Sequence, residues 1–100
     1  MNAPHVDWID PNVLHLPASR SSGADPTKLH RQIARFGRSA DGMPPIWVYR
    51  GTDGEFAIFN GVTRATRVAK LSPGTLVPVE IVGNLPNAVG NWPTVGERLP

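Results

Sequence analysis

Asn60-Gly61-Val62-Thr63-Arg64-Ala65-Thr66-Arg67-Val68-Ala69-Lys70-Leu71 is the stretch whose reading decides the fold. It follows Phe56 to Phe59, an apolar run that reads as a strand. Asn60 is a good N-cap. Gly61 lets the backbone turn tightly and approach a ligand with no Cβ in the way. Val62, Ala65, Val68 and Ala69 repeat at helical spacing and predict a core-facing stripe. Thr63, Thr66, Arg67 and Lys70 then fall on the polar side. A strand, a glycine turn and a helix start with free amide N–H groups form an anion site before any side chain is added. Arg64 and Arg67 lie within the first two turns, and a guanidinium grips phosphate oxygens in a bidentate fork. The alternative is an ordinary surface helix with a basic face. Placement argues against it, because cations at this end oppose the helix macrodipole.

Working outward, 100 residues allow one domain with one small core. There is no cysteine, which excludes disulfides, thiolate metal sites and a cysteine nucleophile. A cytoplasmic location is compatible with that and is expected. Met1-Asn2-Ala3-Pro4-His5 leads into an acidic segment, unlike a signal peptide. No apolar stretch approaches transmembrane length, so no membrane partner is expected. Net charge is only +2, but eight of the ten basic residues are arginine. Planar recognition of phosphate or carboxylate favours arginine over lysine. A high-GC genome would enrich arginine, alanine, glycine and proline together, so this bias carries little weight.

Val6-Asp7-Trp8-Ile9 alternates like a short strand ended by Asp10-Pro11. Asn12 to Leu16 reads as a turn and an extended segment, and Pro17 to Ala24 as a loop. Asp25-Pro26 starts a helix, with aspartate as N-cap and proline at the first helical position. Leu29, Ile33 and Phe36 form its buried stripe; Lys28, Arg31, Arg35 and Arg38 take the other faces. Gly37 is its C-cap. Ile46 to Tyr49 and Glu55 to Phe59 are strands joined by the hairpin loop Gly51-Thr52-Asp53-Gly54. After the organising helix, Val77 to Val82 is a strand with Pro78 near its start or on an edge. The remainder is rich in proline, glycine and asparagine, yet carries Leu85, Val89, Trp92, Val95 and Leu99. Residues 1–83 therefore form the domain, and 84–100 an irregular segment packed on it. The order strand, helix, hairpin, helix, strand predicts a small single α+β domain with a mixed sheet and two main helices.

In series these segments resemble the N-terminal domain of ParB-type proteins, which shares its fold with sulfiredoxin. Asp25 to Phe36 resembles the helix before that family's hairpin. Gly42-Met43-Pro44-Pro45-Ile46-Trp47-Val48 resembles its "G-hydrophobic-x-Pro-Ile-x-Val" strand start. Asn60-Gly61-Val62-Thr63-Arg64 resembles the "G-x-T/H/R-R" box, and Ala69-Lys70-Leu71 with Val77-Pro78-Val79 resembles the "A-A-K-x-L … V-P-V" ending. The likeness runs from about Val6 to Val82. It implies nucleotide binding with the box on the phosphates, through Gly61, Thr63 and Arg64. Arg20, after Pro17, resembles the arginine of the family's N-terminal loop motif. Val62 and Thr63 stand where partition proteins carry glutamate and arginine, so the likeness does not extend to CTP hydrolysis and clamp closure. No helix-turn-helix follows within these residues, and sequence-specific DNA binding is not expected. Sulfiredoxin chemistry needs a cysteine and is excluded.

Three functions follow. The first is binding of a nucleotide or nucleic-acid phosphate by Asn60, Gly61, Val62, Thr63 and Arg64, helped by Arg67 and Arg20, with a nucleoside triphosphate and Mg²⁺ as the implied ligand. A single nucleotide is favoured, because the strongest signal is one helix start. The second is phosphoester cleavage by an NTPase or nuclease, including effector or toxin domains of this fold class. No catalytic residue is assigned. The third is a non-enzymatic interaction module whose protein partner contacts Leu85–Leu99. His5, His15 and His30 have no ligand spacing and read as solvated, so no metal site is assigned. Asp53 and Glu55 read as turn residues. Asp41 also reads as a turn residue, though it is the better placed to face the same cleft. Trp8, Trp47 and Trp92 are read as core rather than base-stacking platforms. Lys28, Arg31 and Arg35 are read as a solvated face, with a phosphate-tracking stripe as the alternative.

Overall fold

Aspartate before proline sets the first helix. In the computed structural model, which describes residues 6–100, Asp25 caps α1 (Pro26–Phe36) by accepting a bond from the Thr27 amide, and Gly37 ends it at a positive φ of 58°. β1 (Val6–Ile9), β2 (Ile46–Arg50), β3 (Phe56–Asn60) and β4 (Val77–Asn84) form one mixed sheet, and α2 (Val62–Leu71) connects β3 to β4. The strand order is β1-β4-β2-β3. β4 runs parallel to β2 and antiparallel to β1, while β2 and β3 form the antiparallel hairpin. No helix among the described residues is long and apolar enough to cross a membrane.

The α2 stripe Val62, Ala65, Val68 and Ala69 is buried, as its spacing predicts. It joins Ile46, Val48, Ile58, Val77 and Val79 of the sheet in one core, completed by Leu14, Leu16 and Val95 from the connecting segments. Pro78 is the second residue of β4, near its start as expected, and the strand is interior rather than an edge. The parallel ladder with β2 begins only at Val79, so the proline sits where a missing N–H disturbs the sheet least.

Three readings of single residues change. Trp8 and Trp47 are 62% and 41% exposed and Trp92 is half-buried, because the sheet face carrying Trp8 and Trp47 is not covered by a helix. His15 is buried, not solvated. Its backbone bridges Ala57 on one side and Thr94 on the other, its Nδ1 lies 2.7 Å from the Trp92 carbonyl, and its Nε2 lies 3.7 Å from Glu55. In α1 only Leu29 is fully buried; Ile33 is half-buried and Phe36, at the helix end, is exposed.

The C-terminal segment contributes to the interior through Val89 and Val95, and the Val95 amide donates to the Leu14 carbonyl. Asp53 fastens this segment to the hairpin. Its carboxylate accepts from the Gly90 amide at 2.8 Å, from Glu55 at 3.2 Å and from Val89 at 3.4 Å. Desolvation opposes the charge there, but the three amides together outweigh it and hold the carboxyl below the usual aspartate range. A carboxyl with a lowered folded-state pKa adds stability above its unfolded value, and that stability is lost as pH falls through the folded value. Asp53→Asn should therefore melt at a lower temperature than wild type at neutral pH. The gap should narrow as pH drops below 3.8. A gap that is constant across this range would contradict the assignment.

Candidate anion-binding cleft

The β3–α2 junction turns on Gly61, whose φ of 119° is closed to most side chains. A Cβ there would lie 2.9 Å from Arg64 Nη2 and 3.2 Å from two side-chain carbons of Ile46. Gly61 is also the helix cap: Asn60 is the last residue of β3 and makes no capping bond. The sequence reading of Asn60 as N-cap is therefore off by one position. Consequently α2 begins with no side-chain cap and no acid in its first turn. Its first N–H groups and the positive end of its dipole are left for an external acceptor.

This helix start opens into a cleft of about 580 Å³. Phe59, Asn60, Gly61, Val62, Thr63 and Arg64 line it from the β3–α2 junction, Lys28, Arg31, Gln32, Arg35 and Phe36 from α1, and Pro17, Ser19 and Arg20 from the loop before α1. Among the described residues, five cations line it: Arg20, Lys28, Arg31, Arg35 and Arg64. No carboxylate and no histidine among the described residues does. Lys28, Arg31 and Arg35 thus face the same space as the α2 start, rather than open solvent alone. Gln32 shares their face of α1 at the i, i+3, i+4 and i+7 positions and was not singled out from the sequence, although that spacing reveals it. Its Oε1 is buried without a donor. Asp41, Asp53 and Glu55 all lie outside the cleft lining.

Arg64 is half-buried and anchored by one nitrogen, Nη2, which donates to the Pro45 carbonyl at 3.2 Å. Its Nε is buried with no acceptor. Burial lowers its pKa below the usual arginine range, as desolvation does to any cation. An anion in the cleft would offset that desolvation. Arg20 is exposed and held within its own loop through the Ser19 carbonyl.

Arg67 does not belong to the cleft, contrary to the sequence reading. It is 2% exposed, and the loop after α1 covers it. Nη1 donates to the Gly37 and Ser39 carbonyls, both at 2.8 Å, and the guanidinium lies 5.3 Å from the centre of the Phe36 ring. Burial lowers its pKa as well. It is a clamp on the negative C-terminal end of α1, holding the two helices together. Thr66, also buried, satisfies its hydroxyl on the Val62 carbonyl at 2.7 Å.

Among the described residues no three histidine, aspartate or glutamate side chains gather to hold a metal, and His5 lies outside those residues. Compared with known proteins, the chain matches no family model and no curated sequence.

The cleft and the clamp separate experimentally. Arg67→Met removes two charge-assisted bonds and strands two carbonyls, and should lower unfolding free energy by about 2 to 4 kcal/mol. Arg20→Ala, at an exposed position, should change it by less than about 0.5 kcal/mol. Urea unfolding followed by tryptophan fluorescence measures both. Equal small losses would mean that Arg67 is not a clamp.

Proposed function

We propose that this protein binds a phosphate-bearing ligand, a nucleotide or a nucleic-acid backbone, in the cleft at the start of α2. The single observation carrying this reading is the convergence of five cations, with no carboxylate among the lining residues, on an uncapped helix N-terminus. Arg64 supplies the main charge-assisted contact. Gly61 lets the chain approach, the amides of Val62, Thr63 and Arg64 and the Thr63 hydroxyl donate, and Arg20 closes the site from the loop. Asn60 borders the site from the end of β3. A nucleoside triphosphate would bring Mg²⁺ with it from solution. The domain is proposed to be of the ParB/sulfiredoxin type, on the likeness of the Gly61-Val62-Thr63-Arg64 box and the position of that box between strand and helix.

The residues of the cleft support binding more than turnover. Phosphoryl transfer draws on positioning and charge neutralisation, which the cleft offers. It also needs an activated attacking group, and among the described residues the cleft lining has neither carboxylate nor histidine to take a proton.

Isothermal titration with nucleoside triphosphates and with inorganic triphosphate tests the reading. Binding should weaken by about tenfold to a hundredfold in Arg64→Ala, the loss expected for one or two bonds to a charged group. Arg20→Ala should weaken it less. Absence of binding to any nucleotide, triphosphate or nucleic acid would reject the function.

A further inference from the structure

The cleft does not end at α2. Phe59, 54% exposed, lines it and belongs also to the open face of the sheet. On that face the Phe59 ring lies parallel to Trp47, with centroids 6.3 Å apart and 4° between planes. The Tyr49 ring meets Phe59 edge-on at 5.3 Å. No residue of α1 or α2 lines the pocket that Tyr49 and Phe59 share, and Trp47 keeps 41% of its surface exposed in the interior strand β2. Trp47, left open on an interior strand, forgoes the burial that ordinarily stabilises such a residue. A platform of this kind is what single-stranded nucleic-acid binders use, because every base has a π-face to stack.

The charge arrangement selects the same occupant. Lys28 and Arg35 are seven residues apart on α1, a row about 10 Å long, and Arg64 and Arg20 stand across from it. One phosphate fills one helix start; a row of that length serves successive phosphates. A second copy of this chain would bring its own five cations against these, whereas a polyanion complements them.

We propose that the ligand is a single-stranded nucleic acid, its phosphates in the cleft and its bases stacked on Trp47 and Phe59. This rests on the phosphate-binding reading above and names the ligand class for that site. It departs from the single nucleotide that the sequence favours, because the fold brings the α1 cations to the α2 start and joins both to an aromatic face.

The test is anisotropy with a fluorescein-labelled oligothymidylate of about ten nucleotides, run beside calorimetry with inorganic triphosphate, which has no base. Trp47→Ala should weaken oligonucleotide binding by about tenfold or more and leave triphosphate binding unchanged. Trp47→Phe should keep most of the affinity while losing part of the fluorescence quenching that the oligonucleotide causes in wild type. This second variant retains an aromatic ring and does not depend on the fold tolerating alanine. Triphosphate binding with no gain for the oligonucleotide, or equal oligonucleotide binding in Trp47→Ala, overturns the inference and leaves the phosphate site standing. No binding of either probe overturns both. Concentration-dependent self-association that Trp47→Ala abolishes would assign the face to a second copy and also overturn the inference.

Discussion

The backbone at Gly61 is the constraint on which the rest of this structure depends. At φ 119° the chain leaves β3 and enters α2 within one residue, close against Ile46. That approach lets Val62 and Ala65 enter the core and brings the Arg64 guanidinium back to the Pro45 carbonyl at the mouth of β2. A residue with a Cβ would meet both strain in the dihedral and contact with Ile46 and Arg64. The same atom-free space that permits the packing also exposes the helix amides to the cleft. Fold and site are therefore set by one residue.

The two arginines of α2 show how neighbouring positions on a helix diverge in purpose. Arg67 is buried and has two carbonyl acceptors, Gly37 at the cap of α1 and Ser39 in the loop beyond. Its charge is matched by the helix C-terminus, a favourable arrangement. Arg64 stands one turn earlier, at the start of α2, where the dipole is unfavourable, with one carbonyl acceptor; the Nε of both arginines is buried without an acceptor. Four further cations share its cleft without a carboxylate among the lining residues. Such a set repels itself and is poorly explained by stability alone. A bound anion, as proposed, would relieve the repulsion and the unmatched dipole together.

Much of the architecture was legible in the sequence because local rules and the tertiary fold agree. Asp25-Pro26 and Gly37 bound α1 where capping chemistry puts them, and the hydrophobic period fixed the core face of α2. What could not be read depended on distant elements. Arg67 and Thr66 fall on the polar side of the α2 helical wheel, yet the loop after α1 covers that side. Trp47 has strong strand propensity, but propensity does not say which sheet face a helix will cover. The cap moved from Asn60 to Gly61 because β3 keeps Asn60 opposite Trp47 in its ladder. For the site, the glycine-arginine box was visible in one stretch. The contributions of Lys28, Arg31, Gln32 and Arg35 needed α1 to pack across from it, and periodicity cannot supply that relation.

The central claim is that the start of α2, together with the α1 and loop cations, forms one anion site. Nitrogen-15 correlation spectra during titration with inorganic triphosphate test it most directly, because backbone amides and arginine Nε–H groups report separately. The largest saturable shifts are expected at the Val62, Thr63 and Arg64 amides and at the side chains of Arg64 and Arg20, with Arg67 Nε–H, buried outside the cleft lining, little changed. Shifts centred on Arg50, Arg98 or the Asp53 loop, or none that saturate, would contradict it.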